Sequence, residues 1–165
     1  MVTLKRSSLT AIAISSLLVS LNTNAGEKII IPEAVPFGKT SNATAAVKEK
    51  CELGEKVSAY IDKYSKLVEV GDGTTAKHID MEISEVFAPG GGAWSGPKWL
   101  EVTGTLKDGT KEIASFRAKR FSTGGAFGGF KGTCGILARC TKALGKDIAT
   151  WLKEPTDNAE LGDAK

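Results

Sequence analysis

Cys51, Cys134, Cys140 and His78 are the side chains with the widest chemical repertoire in this 165-residue sequence. By type they form a Cys3His zinc donor set. By spacing they do not, because no C-x-x-C pair is present and the four are scattered along the chain. A thiol–disulfide oxidoreductase would carry C-x-x-C ahead of a helix, and that is absent too. A Cys–His nucleophile pair needs His78 beside a thiol, yet His78 opens a strand pattern between Lys77 and Asp80, where it reads as a solvated edge residue. A hydrolase requires a nucleophile and base, or paired carboxylates, converging in a cleft. One histidine and scattered acids supply no such set. The expectation is a chain that is not an enzyme and carries neither metal nor cofactor, with a small exported enzyme or an enzyme inhibitor as the alternative.

The second unusual stretch is "GGAFGGFKGTCGILARC", residues 124–140. A phosphate loop needs G-x-x-x-x-G-K-[ST], but here Lys131 precedes Gly132 and Thr133, so the order fails. A dinucleotide fingerprint needs a βαβ unit after the glycines, and only one helix follows. Glycines four apart also match the small-xxx-small spacing of membrane helices. The continuation carries Lys131, Arg139, Lys142, Lys146 and Asp147, which excludes insertion into lipid. The remaining reading is a glycine-rich entry to the last helix. Gly125, Gly128, Gly129 and Lys131 then form a candidate surface where a partner meets bare backbone. A second candidate lies in "FAPGGGAWSGPKW", residues 87–99, which places Trp94 among Gly91, Gly92 and two prolines. An indole on such a loop buries a large area when it docks. Trp99 closes the segment and reads as a packing residue bordering that surface. Folding of Trp94 back over the sheet edge as a lid is the competing reading.

These segments need elements to hold them. Residues 1–25 read as a cleaved signal peptide: Lys5 and Arg6, an apolar run from Ala11 to Leu21, then Thr23-Asn24-Ala25. That run is shorter than a membrane span, and no lipidation cysteine follows it. The leader takes two of the 22 basic residues, leaving 20 against 19 acidic, a net of +1. Nucleic-acid binding, which wants a concentrated basic excess, is not expected. Residues 26–155 suit one domain, and 156–165 read as a flexible polar tail.

Within the domain, Lys28–Ile31 is a strand pattern limited by Pro32 and Pro36. Val47, Cys51, Gly54, Ser58 and Ile61 recur at helical spacing as one stripe. Leu67–Val70 is a short strand. Ile79, Met81 and Ile83 alternate with polar residues, as do Leu100, Val102, Gly104 and Leu106, and then Ala114, Phe116 and Ala118. Keeping the last two apolar sets on one face favours a three-residue loop at Asp108-Gly109, with Gly109 left-handed and a bulge. Leu137, Cys140, Thr141, Leu144, Ile148, Trp151 and Leu152 mark the final helix, stopped by Pro155. The expected fold is α+β: a two-layer sandwich in the order βαβββα, one mainly antiparallel sheet with both helices on one face.

Three cysteines in an exported chain imply one disulfide and one free thiol. Cys134 and Cys140 stand ~9 Å apart along a continuous helix, beyond the ~7 Å limit for bridged Cα atoms. Cys51–Cys140 is the preferred pair, with Cys51–Cys134 and Cys134–Cys140 open.

Residues 112–152, where a Gly-Gly-rich stretch leads from a strand into a helix ending "KDIATWL" (Lys146–Leu152), resemble the end of a group of small bacterial envelope proteins and lipoproteins that share a domain of unknown function. The resemblance implies an envelope setting and an α+β fold, and it brings no catalytic residues with it. The combined expectation is a non-catalytic, soluble periplasmic or secreted module that binds a protein or other envelope partner, without membrane insertion and with its oligomeric state open.

Overall fold

Period-two alternation builds the centre of the molecule, and a computed structural model describes residues 27–74, 76–90, 96–123 and 131–165. The leader expected at 1–25 lies outside the described residues. Three long strands, β3 (Lys77–Phe87), β4 (Lys98–Asp108) and β5 (Lys111–Ser122), form an antiparallel meander. Short strands extend it on both sides: β1 (Ile29–Ile31) and β2 (Val68–Val70) beyond β3, and β6 (Ala159–Gly162) beyond β5. The sheet order is β2-β1-β3-β4-β5-β6, and the three outer pairings are parallel. The fold is therefore α+β as expected, and its mixed sheet is antiparallel through the three long strands, with parallel pairing confined to the short strands at its edges.

The apolar set of each long strand faces one layer, where Ile79, Ile83, Leu100, Val102, Leu106 and Ala118 are all buried. Helices α2 (Leu53–Tyr64) and α3 (Thr133–Trp151) cover that layer. Trp151 of α3 meets Phe116 edge-on at 4.9 Å between ring centroids. Cys51, just before α2, is bonded to Cys134 in the first turn of α3, and Tyr60 touches Gly145 further along. The two helices thus run parallel. Gly145 is required by this contact: a Cβ there would stand 2.4 Å from the Tyr60 Cβ.

Four features depart from the sequence expectation. The first helical stripe is two helices, α1 (Ala45–Lys50) and α2, broken at Glu52, whose φ is 49°. Val47, Cys51 and Leu53 are all buried. Residues two apart cannot share a face of one straight helix, and the left-handed break turns both inward. The order gains this helix, keeps β2 apart from β3 as a strand of its own, and adds a last strand, so βαβββα becomes βααββββαβ. The hairpin loop has two residues, Gly109 and Thr110, since Asp108 pairs with Lys111. Gly109 is left-handed (φ 56°), and the extra residue sits in β5 as a bulge that leaves Ile113 exposed and still matches Leu106 to Ala114. Lastly, residues 156–165 are not a free tail. β6 pairs with Phe116–Lys119, Leu161 packs on the core, and the Trp151 indole N–H donates to the Thr156 carbonyl at 3.1 Å.

Candidate functional site

Strands of period two have a second face, and in this fold no helix among the described residues lies on it. That face is apolar at one end only. Phe87, Trp99 and Phe121 are register partners on β3, β4 and β5. The Phe87 and Trp99 rings stack at 3.9 Å, and the Lys119 ammonium lies 5.1 Å from the Trp99 ring centroid. Trp99 is therefore held between a ring and a cation, and its indole N–H is buried with no hydrogen-bond partner among the described residues. Phe121 is 60% exposed and Phe87 38%. A slot of about 390 Å3 opens there, lined by Pro97, Trp99, Lys119, Phe121, Thr123 and Asp163. Asp163 is fixed as its end wall: it accepts the Phe121 backbone N–H at 3.1 Å and pairs with Arg120 at 3.2 Å.

Behind the aromatic row the face is charged but self-compensated. Glu101 accepts the Ser84 hydroxyl at 3.0 Å and lies 3.7 Å from Arg117 and 4.0 Å from Lys119. Lys119 also reaches Glu85 at 3.3 Å, and Arg117 reaches Glu160 at 2.8 Å. The hydrogen bond to Glu160, with Glu101 adding attraction, raises the Arg117 pKa further above its ordinary value. Arg120 points the other way, into the helix layer, with two bonds to Asp147 at 2.6 and 2.9 Å. These cations are neutralised in place, so the face suits apolar docking better than capture of an anionic surface.

On the helix side of the same sheet end lies a cleft of about 500 Å3. Its walls are α1, the Cys51–Cys134 disulfide, the start of α3 and the residues after β3, Ala88 and Gly90. The bonded pair is Cys51–Cys134, with Cα atoms 4.9 Å apart, and not the preferred Cys51–Cys140. The reason is rotational. Cys140 faces the sheet, its Sγ 3.7 Å from the Lys98 carbonyl, whereas Cys134 faces α1. Burial pushes the free Cys140 thiol up to about 11. Lys98 is itself fully buried, donates to the Pro89 carbonyl at 2.9 Å, and has its pKa lowered by that burial. His78 is buried rather than solvated, with Nδ1 2.8 Å from the Ala76 carbonyl.

Of the residues singled out by sequence, Gly91, Gly92, Trp94, Gly125, Gly128 and Gly129 lie outside the described residues. Trp99 lines the slot as a packed residue, and Lys131 is half-buried just before α3. Register shows what spacing alone did not. β3 ends at Phe87 opposite Trp99, which lies opposite Phe121, so the β3–β4 and β5–α3 connections leave from one end of the sheet. Sequence reading missed Phe87, Phe121 and Lys98. Phe121 was recoverable, since it continues the outward alternation of Arg117 and Lys119. Among the described residues, no three His, Cys, Asp or Glu side chains converge where a metal ion could sit.

Fold and surface together define an α+β domain with one helix-covered sheet face and one open face ending in an aromatic row. Among solved structures, the chain aligns with a dodecamer of a PelC point variant from Paraburkholderia phytofirmans at 11% identity, covering 73% of this chain and 85% of that one, with a TM-score of 0.43. No family model and no curated protein matches the chain.

Proposed function

We propose that this chain is a non-catalytic binding module of the bacterial cell envelope, exported by its leader and docking a protein partner through the aromatic end of its open sheet face. The observation that carries the reading is Phe121, 60% exposed beside the Trp99 slot on a sheet whose other large apolar side chains are mostly turned inward. Contiguous exposed apolar surface rimmed by polar groups marks interaction sites, and aromatic side chains dominate the energetics of such sites. The paired charges around Lys119 and Glu101 would form the polar rim. No helix among the described residues is long and apolar enough to cross a membrane.

The test is capture from a periplasmic extract by the tagged mature chain, with Phe121→Ser as the comparison. A partner retained by the parent and lost by a variant of unchanged melting temperature supports the reading. An identical set of captured proteins from both would overturn it, as would a hydrolytic activity that scales with protein and survives repurification.

A further inference from the structure

The α1 segment is attached to the molecule in an unusual way. Six residues are too few for a helix to hold itself in water, and α1 buries only Val47. Its other ties are few: Asn42 accepts the Val86 N–H at 2.8 Å, Ala43 packs on the core, Lys48 lies 5.3 Å from the Phe37 ring centroid, and Lys56 of α2 donates to the Cys51 carbonyl at 2.7 Å. At its C-terminal end stand two joints in succession, Cys51, bonded to Cys134, and Glu52, a non-glycine residue held at φ 49°. A left-handed conformation at such a residue is strained and persists only where its surroundings impose it. The segment held this way is also one wall of the 500 Å3 cleft, and both cysteines line that cleft.

We propose that the Cys51–Cys134 disulfide is a redox latch: its reduction by an envelope dithiol releases α1 to swing about Glu52 and opens the cleft between α1 and the start of α3. Cys51 is 1% exposed, whereas Cys134 is only partly buried, so attack falls on the Cys134 sulfur. The reductant's thiolate bonds to Cys134 Sγ and the S–S bond breaks. Cys51 leaves as a thiolate and takes a proton. The reductant's second thiol then displaces Cys134, which also ends as a thiol, and the reductant departs as its own disulfide. Two electrons and two protons are transferred. Cys140 does not short-circuit the exchange, because its thiol stays protonated and faces Lys98 across the layer from Cys51.

The test is hydrogen exchange read by mass spectrometry on the full mature chain, folded and oxidised, after dithiothreitol, and as the Cys51→Ser/Cys134→Ser variant. The expected result is a loss of protection of about tenfold or more over residues 45–51, read at labelling times short enough that β3–β5 and residues 136–151 stay protected in both the oxidised and the reduced protein. Unchanged protection of residues 45–51 in the reduced protein overturns the proposal, because packing alone would then hold α1. Loss spread evenly over the chain also overturns it, since the bond would be a general staple. So does failure of dithiothreitol to reduce the folded chain. Reduction of folded parent protein keeps the question decidable if the double variant does not fold.

Discussion

At the scale of single residues, the molecule separates side chains that hold it together from side chains free to bind. Gly145 belongs to the first kind. Gly145→Ala must push Tyr60 and its backbone away, and overpacking of this sort costs roughly 1–3 kcal/mol. A matching drop in unfolding free energy by urea titration is expected. Phe121 belongs to the second kind: Phe121→Ser is expected to move stability by less than about 0.5 kcal/mol, as exposed positions do, while abolishing partner capture. Cys140 connects burial to pH. Its thiol titrates at about 11 in the folded chain, against an ordinary value of 9.0. Between those values the unfolded chain gives up a proton that the folded chain keeps. Stability from this group is therefore full below pH 9 and declines as pH rises towards 11, by roughly 2–3 kcal/mol in all. Denaturation curves at a series of pH values should show that slope, and Cys140→Ala, which keeps the disulfide, should lose it.

At the scale of elements, β6 is the least expected piece and α1 the least secured. β6 completes the sheet edge because polar side chains in it and on either side of it have partners on β5: Glu160 with Arg117, and the flanking Asp163 with Arg120 and Asp157 with Ser115. In sequence those residues read as solvated, because hydrophobic pattern was the signal sought and this strand is specified by charge and ladder pairing. Truncation after Pro155 removes four ladder pairings and uncovers the β5 edge. With about 0.5–1.5 kcal/mol per hydrogen bond, a loss of several kcal/mol is expected in a chemical denaturation series, together with aggregation through the open strand. A tail with no structural part would leave both unchanged. The break between α1 and α2 was legible only afterwards. The stripe of Val47, Cys51, Gly54, Ser58 and Ile61 fits one helix as well as two, and Leu53 alone signals that it is broken.

At the scale of the whole molecule, one covalent bond ties residues 83 positions apart and joins the starts of helices α2 and α3 within the one helix layer. Loop closure of that length removes up to about 4–5 kcal/mol of unfolded-chain entropy in the chain-entropy model. Reduced protein is therefore expected to stay folded but to melt roughly 10 °C lower, at about 2–4 °C per kcal/mol for a chain of this size. Differential scanning calorimetry with and without dithiothreitol checks this, and coincident melting would mean the bond constrains little. The alternating strands, the final helix and the presence of one disulfide with one free thiol were all written locally, because periods of two and 3.6 and the count of cysteines are properties of the chain itself. Tertiary structure decided which cysteines pair, since that depends on how far α3 is rotated when Cys140 turns to the sheet and Cys134 to α1. It also decided that Phe87, Trp99 and Phe121 form one row, because strand register, and not sequence distance, sets which side chains stand side by side.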